Sequence, residues 1–244
     1  MIQGANCRLG KNLNVSSDTK IGDNVEIGNN VTIYPQVCIS NDCRILDGAV
    51  IGRMPITTGN TTLPVEEKYF PVMIGSGCVL GCHCVLYTGV ALGAKILIGD
   101  QTVIREKIVL NDHVVVGQNV SLQPGVRIGK RSRVYGHATL GKMIIEENVF
   151  IGPGVNSADD NNLYLSRFGL KPVSQKPVVI KRLAAIGMGA NILPGIVIGE
   201  GAFVAAGALA SKDIPPWTMV AGVPAKHLRD IPPGWRKKLD RIGF

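Results

Sequence analysis

Aromatic side chains are scarce in this chain. Phe, Trp and Tyr together make up 5% of its 244 residues, so a core of any size has to be aliphatic. No apolar stretch approaches the roughly 18 residues that a membrane-spanning helix requires. The first residues, MIQGANCRLGKN, lack the basic-then-apolar order of a secretory leader. These absences point to a soluble, cytoplasmic protein with no membrane partner. No CxxC pair occurs among the six cysteines, which removes the commonest zinc and redox spacings. The net charge of +8 comes without aromatic–basic interleaving or a recognition-helix pattern, so nucleic acid is not expected as a partner. Half of the excess charge sits in residues 226–244, where Lys226, Arg229, Arg236, Lys237, Lys238 and Arg241 face only Asp230 and Asp240. That tail reads either as a solvated terminus or as a landing surface for a phosphorylated small molecule.

What the chain has in abundance is periodicity. Ile, Leu or Val recurs at every sixth residue through Leu9, Val15, Ile21, Ile27, Ile33, Ile39, Ile45 and Ile51. The pattern resumes at Ile74 and continues without failure to Leu140, then returns from Ile180 to Val204. A period of six is neither helical nor simple strand alternation, and it marks a solenoid of six-residue units. One such repeat running almost end to end argues for a single domain over residues 1–244. Four residues after each aliphatic position lies a second inward site, filled by Val25, Val31, Val37, Val90, Val114, Val120 and Val126. Cys43, Cys78 and Cys84 occupy the same phase, as does Cys7, so these four read as small core residues. Cys38 and Cys82 lie off it.

The repeat breaks at about residues 53–72 and 157–179, and long loops in compact solenoids tend to carry function. A subtler slip lies between Leu140 and Ile145, where five residues replace six. After Val204 the pattern fades into a Pro-rich stretch that can cap the solenoid over about 211–244, ending in a short basic helix.

Units such as IGDNVE, IGNNVT and IGEGAF resemble the hexapeptide-repeat acyltransferases. VAAGALASKDIPPWTMVAGVPAK is similar to the terminal coils of their acetyl-CoA-dependent members. GKRSRVYGHATLGKMIIEENVFIGPGVNSADD resembles the central segment of nucleotide-sugar N-acyltransferases. The resemblance implies an all-β fold: a left-handed parallel β-helix with three hexads per coil, two inserted loops, and a homotrimer with active sites between subunits. It further implies transfer of a short acyl group from acyl-CoA to the amine of a dTDP- or UDP-linked amino sugar. An O-acyltransferase for a sugar or other hydroxyl, and a non-enzymatic scaffold, stand as alternatives.

Eighteen residues per coil turn the repeat into a ruler. His83, Gln101, Asn119 and His137 fall on one vertical column, with Asp100 one coil above His83. A histidine and a carboxylate so placed suit acid–base work. His83 and His137 lie three coils apart, about 14 Å at the usual strand spacing, and His113 falls on another face. The histidines therefore cannot share a metal ion; no metal is expected, which argues against the zinc carbonic anhydrases built on this fold. The family's acidic residue maps onto Glu146 in IEENVFIG and its histidine onto His137, while the asparagine of its T-N-D context falls on Asp159, followed by Asp160. Two catalytic constellations are thus open, His83/Asp100 and His137/Glu146. Asp159, Asp160, Arg105 and Glu106 are candidates for substrate binding. For coenzyme A, the Gly- and Ala-rich terminal units nominate Gly187, Ala205, Ala206 and Gly207 beside the pantetheine arm. Lys212 and Lys226 would meet its phosphates and Pro224 its adenine. If the second loop replaces one corner of the count, both loops leave the same edge of the prism about five coils, near 24 Å, apart.

Overall fold

In the computed structural model, which describes residues 2–59, 61 and 64–241, the chain winds as a parallel β-helix. Strands of two to five residues succeed one another, and up to Val197–Ile198 each pairs in parallel with the strand three places before or after it. Among the described residues this builds three faces. Face one has ten strands, from Ile2–Gln3 to Val197–Ile198. Face two has twelve, from Arg8–Leu9 to Lys226–Asp230, and face three has ten, from Asn14–Val15 to Leu209–Ala210. The register confirms the ruler, with Val85 opposite Val103 and Val103 opposite Ser121.

The two inward positions of each unit explain the strand length. The periodic aliphatic residue closes a two-residue strand and points inward, while its predecessor points outward. Ile98, Ile104 and Leu122 are fully buried. So are the turn-flanking Val25, Val90, Val114 and Val126 of the second inward site, together with Cys43, Cys78 and Cys84. These cysteines also act as donors: Cys43 Sγ reaches the Gly75 carbonyl and Cys78 Sγ the Gly93 carbonyl, both at 3.2 Å. Thr102 and Ser132 do the same for the Gly117 and Glu146 carbonyls at 2.7 Å. Burial pushes the Cys84 thiol up to about 12. Of the six free cysteines, three are buried and three half-buried. Titration of the native protein with a chromogenic disulfide should therefore register only Cys7, Cys38 and Cys82 quickly, and all six only in denaturant. Rapid reaction of all six without denaturant would contradict this packing.

The corners follow a three-residue code. The third position has a left-handed backbone in nearly every unit: φ is 56° at Asn24, 55° at His83, 58° at Gln101 and 62° at His137. The second position is often Asp or Asn, whose Oδ1 accepts from a backbone N–H one coil below. Asp23 bonds Ala5, Asp47 bonds Asn29 and Asp112 bonds Ala94, at 2.6–3.0 Å. The first position is often glycine because the coil above leaves no room. A Cβ on Gly81 would lie 2.5 Å from the Asp100 Oδ1.

Both long insertions leave the same edge, as the register argument expects. The first runs from the strand Val50–Arg53 on face three to Val72–Ile74 on face one. The second runs from Asn156–Ser157 to Val178–Ile180, between the same two faces and five coils later, and contains the short helix α1 (Leu163–Ser166). The slip also falls on this edge: Gly141 and Lys142 alone join Thr139–Leu140 to Met143–Ile145. The offset between coils accordingly drops from 18 to 17, with Arg127 opposite Ile144 and Arg133 opposite Phe150.

The solenoid continues beyond the expected fade at Val204. Leu209–Ala210 extends face three, and Thr218–Ala221 pairs in parallel with Phe203–Val204 on face two. Lys226–Asp230 then pairs antiparallel with Thr218–Ala221, which covers the exposed edge of face two. The helix α2 (Pro233–Arg241) follows; residues 242–244 of the expected cap lie outside the described ones.

Candidate functional site

The column of histidines exists, but its backbone accounts for much of it. His83, Gln101, Asn119 and His137 are the left-handed residues of successive corners on the edge between faces two and three. Their N–H groups climb the edge by bonding Asp47, Cys82, Asp100 and Gln118 carbonyls in turn. His83 and Asp100 do not form the acid–base pair that their spacing suggests. The His83 ring lies over Gly48 in the coil below, where an added Cβ would meet Nδ1 at 2.3 Å. Asp100 Oδ1 accepts from the Cys82 N–H at 2.7 Å, the same work that Asp47 and Asp112 do at other corners. Nothing among the described residues bonds the two side chains to each other.

His137 and Glu146 part further. Glu146 follows the face-one strand Met143–Ile145 and so stands on the edge between faces one and two, while His137 stands on the edge between faces two and three. The missing residue shortens the corner at 141–142 but does not carry Glu146 round to the histidine. Instead Lys181 Nζ donates to Glu146 Oε1 at 2.8 Å and the Arg182 N–H to Oε2 at 2.9 Å. The neighbouring Arg182 guanidinium bonds Glu200 at 3.1 Å. Partial burial pulls the Glu146 pKa upward, but the Lys181 and Arg182 donors outweigh it and hold the carboxyl below its usual range. Its folded pKa thus lies below its unfolded one. The stabilisation is full above the ordinary carboxylate pKa of about 4.3 and is lost as pH falls through the lowered value. The side chain is 35% exposed, so solvent screening limits the effect to about 1 kcal/mol or less. Glu146→Gln should lower the urea midpoint modestly at pH 7 and by progressively less as the pH falls below the ordinary carboxylate range. An undiminished difference at pH 3 would refute the ion-pair account.

The four residues considered for substrate binding hold the loop edge together. Arg105 forms a bidentate pair with Glu106 at 2.8 and 3.0 Å, and its guanidinium lies 4.9 Å from the Tyr87 ring centre. Next to them Lys107 Nζ meets Glu66 of the first loop at 2.8 Å. A small cavity of about 160 Å³ lies beneath that loop, lined by Phe70, Thr88 and Glu106. In the second loop, Asp159 Oδ2 accepts from the Lys142 N–H at 3.2 Å and from Gln175 at 2.9 Å. Asp160 bonds the Asn162 N–H and Ser166. Asp159 therefore clasps the loop base to the shortened corner, while Asp160 braces the start of the loop itself.

The residues nominated for the cofactor divide. Gly187, Ala205, Ala206 and Gly207 sit together on the edge between faces two and three, in two stacked corners directly above the His137 column. A Cβ on Gly187 would lie 2.5 Å from the Ala206 nitrogen, whereas one on Gly207 would meet nothing within 4 Å. The turn carrying Pro224 joins this edge, since the Gly222 carbonyl accepts from the Leu209 N–H and the Ala225 N–H reaches the Leu209 carbonyl, both near 3 Å. Lys226 begins the antiparallel strand beside it. Lys212 does not join them: it lies past Leu209–Ala210, on the loop edge. The result is one edge of the prism whose upper corners hold Gly and Ala around a single large side chain, the exposed Met188, and which carries an exposed imidazole two to three coils below, about 10–14 Å away. Small corner residues let an extended amide-bearing chain approach the backbone, and an imidazole can accept a proton. Among the described residues no group of His, Cys, Asp and Glu is arranged to hold a metal ion.

A second feature of face two was not apparent from the sequence. A cavity of about 640 Å³ opens between this face and α2, lined by His113, Arg131, Arg133, Phe150, Leu183 and Leu239 among others. None of the described residues that line it is a carboxylate. The signal lay in the period itself, since Arg133 and Phe150 are outward residues of neighbouring strands, but the short coil hid their register.

Two stretches match models of known repeats. Residues 4–35 match the bacterial transferase hexapeptide (six repeats), and residues 71–104 match the hexapeptide repeat of succinyl-transferase. The chain is 48% identical over 62 residues to a 2,3,4,5-tetrahydropyridine-2,6-dicarboxylate N-acetyltransferase of Enterococcus faecalis, covering 25% of this chain and 27% of the relative. It is 32% identical over 106 residues to the bifunctional protein GlmU of Rubrobacter xylanophilus, covering 43% of this chain and 20% of the relative. The matched stretches thus span about a quarter of these relatives' length. A hexapeptide-repeat acetyltransferase of Vibrio cholerae, solved with acetyl coenzyme A, is 26% identical with a TM-score of 0.41, covering 50% of this chain and 72% of that one.

Proposed function

We infer that this chain, a hexapeptide-repeat protein of the transferase type, is an acyl-CoA-dependent acyltransferase that acylates the amine of a nucleotide-linked amino sugar. One observation carries the reading: the small residues Gly187, Gly189 and Ala205–Gly207 stack above His137 on a single edge. An extended pantetheine arm can lie along those corners and exchange hydrogen bonds with their backbone, its thioester directed toward the imidazole. Local identity to an enzyme named as an N-acetyltransferase supports the same class.

Acyl transfer from a thioester forms a bond from the acceptor nitrogen to the carbonyl carbon and then breaks the carbon–sulfur bond. The oxyanion between these steps needs donors, for which backbone N–H groups suffice. The thiolate leaves readily without strong acid assistance. The acceptor amine has to be neutral and lose a proton, and His137 is placed to receive it. A hydroxyl is the harder nucleophile to activate and would depend more heavily on such a base than an amine does. The resemblance of the repeats implies a homotrimer with sites between subunits, which sedimentation equilibrium tests directly.

The function is tested by thiol release. Incubation with acetyl-CoA and a panel of dTDP- and UDP-linked amino sugars should liberate free CoA with at least one of them and not with the corresponding hydroxy sugars. Release with hydroxy sugars alone would transfer the reading to O-acylation. Failure to bind CoA by calorimetry would sink it in favour of a scaffold.

A further inference from the structure

We propose that the second insertion of one copy of this chain closes the candidate site of a neighbouring copy, seating Tyr164, Phe168 and Leu170 against that copy's Tyr135, Phe150 and Met188. The chemistry of the site rests on the acyltransferase reading, but the contact does not. The insertion is built to hold apolar side chains in water. Tyr164 is 77% exposed, Phe168 62% and Leu170 71%. Apolar residues exposed singly are ordinary, but three on one short segment mark a contact surface. Nor is the segment loose. At the start of α1, Asp160 accepts from the Asn162 N–H at 2.7 Å. At its end, the Gly169 N–H bonds the Ser166 carbonyl and the Leu170 N–H the Leu165 carbonyl, both at 3.0 Å, around Gly169 at φ 69°. Such a Schellman stop frequently tucks the residue after its glycine against the last helical turn, yet Leu170 stays in solvent. A bridge between Asp160 and Gln175, and a bond from the Lys176 N–H to the Asp159 carbonyl at 2.9 Å, close the base. Among the described residues, the hydrogen bonds of 162–170 stay within the insertion or end on Asp160. The result is a braced prong, with the Tyr164 and Phe168 rings edge to face and centres 5.6 Å apart.

A matching patch lies on the candidate site itself. Tyr135 stands in the same corner as His137, and Met188 stands between Gly187 and Gly189. Phe150 opens the face-two strand one coil above Arg133, and its ring lies 5.1 Å from that of Tyr135, centre to centre. All three side chains are exposed. They flank the imidazole and the small corners along the length of the proposed thioester path.

Two properties of the solenoid bring prong and patch together between copies. The first is which face stays wet. Face three turns Ser121, Thr139, Asn156 and Asn191 outward in its upper half. Face one turns out Met73, Val109, Ile144 and Val179, and face two Leu97, Val115, Phe150 and Phe203, with Arg127 and Arg133 interrupting the two apolar columns. With face three in water, face one of each copy meets face two of the next. The far end of face one is the edge that the prong leaves, and the far end of face two is the site edge, so these two edges adjoin. The helix α2 approaches face two at its other end, beside His113 and Leu183. The second property is height. The prong leaves the coil of Gly154, which lies between the coils of His137 and Gly189. Rotation about an axis parallel to the solenoid preserves height. A closed ring of copies therefore brings each prong to within about 5 Å of rise of the neighbour's Tyr135 and Met188. The site is then incomplete in a single chain.

Cysteine cross-linking tests the contact. Phe168→Cys/Met188→Cys, oxidised with copper–phenanthroline, should run as covalently linked oligomers on a denaturing gel without reductant, and each single variant as monomer. Monomer bands from the double variant overturn the proposal, as does a wild-type chain that sediments as a monomer. Binding of such a monomer to vesicles of anionic phospholipid, lost in Phe168→Ser, would assign the prong to a membrane surface instead and overturn it too. Subunit mixing tests the shared site. Phe168→Ser/Leu170→Ser should keep the wild-type urea midpoint, since both side chains are exposed, yet lower kcat/KM for thiol release about tenfold to a hundredfold through lost positioning. Co-expressed in equal amounts with His137→Asn, it should recover about a quarter of the wild-type rate, because that share of contacts pairs an intact prong with an intact histidine. No recovery overturns the shared site even where the cross-link forms. Cross-linking in a protein that releases no thiol with any acceptor would instead reject the acyltransferase reading and leave the contact standing.

Discussion

Replacing Gly99 with valine is expected to lower stability by at least about 3 kcal/mol, the upper end of overpacking penalties, read as a shift of the urea midpoint. The reason is the coil above. A Cβ on Gly99 would lie 2.5 Å from both the Gly117 carbonyl carbon and the Gln118 nitrogen, and neither backbone atom can retreat without breaking the ladder. The bond from the Gly117 N–H to the Val134 carbonyl at 2.8 Å ties that corner to the next, so the strain passes upward. Gly154→Asn is the companion. Gly154 has φ 65° and nothing within 4 Å of an added Cβ, and Asn is at home in that conformation. Its cost should stay within about 0.5 kcal/mol. Equal costs for the two would mean that glycine serves backbone freedom at both corners rather than close stacking at Gly99.

That pair of glycines shows how much of the fold was legible. The aliphatic positions, the second inward sites and the four core-phase cysteines could be read directly because burial in a two-residue strand tolerates only such side chains. The shared edge of the two insertions followed from counting once the second loop was taken to replace one corner. The corners were harder: Gly99 stands at the first corner position and Gly154 at the left-handed third, and composition alone did not say that the next coil presses on the first and leaves the second open. The candidate site was less legible still. Spacing placed Asp100 one coil above His83 but did not say that Asp100 Oδ1 would turn down to the Cys82 N–H. Likewise His137 and Glu146 lie nine residues apart, but the edges of a triangular prism separate them. A period locates a residue on a corner; the direction of its side chain depends on which backbone groups the next coil leaves free. The cavity beneath α2 escaped for a related reason. It is closed by α2, an element outside the repeat, and its floor spans the one coil whose offset is 17 rather than 18.

His137→Ala is expected to reduce kcat/KM for thiol release by 10²- to 10⁴-fold, the usual contribution of a positioned base, whereas His83→Ala should leave it within about twofold. Both residues occupy the same column, the same backbone conformation and comparable exposure, so a purely structural role predicts similar effects on both. They differ in distance from the Gly- and Ala-rich corners. His137 lies two coils below Gly189 and three below Gly207, about 10 and 14 Å, while His83 lies six coils below Gly207, nearly 30 Å at the same spacing. The His83 ring is also spent on covering Gly48. Replacing each with asparagine, the residue this column already uses at Asn30 and Asn119, keeps the corner geometry and separates folding from chemistry. If His137→Asn melts like wild type but turns over at the His137→Ala rate, the imidazole acts on the reacting amine. If His83→Asn alone abolishes turnover, the acceptor binds lower on the prism and the Gly- and Ala-rich corners are not where the thioester lies.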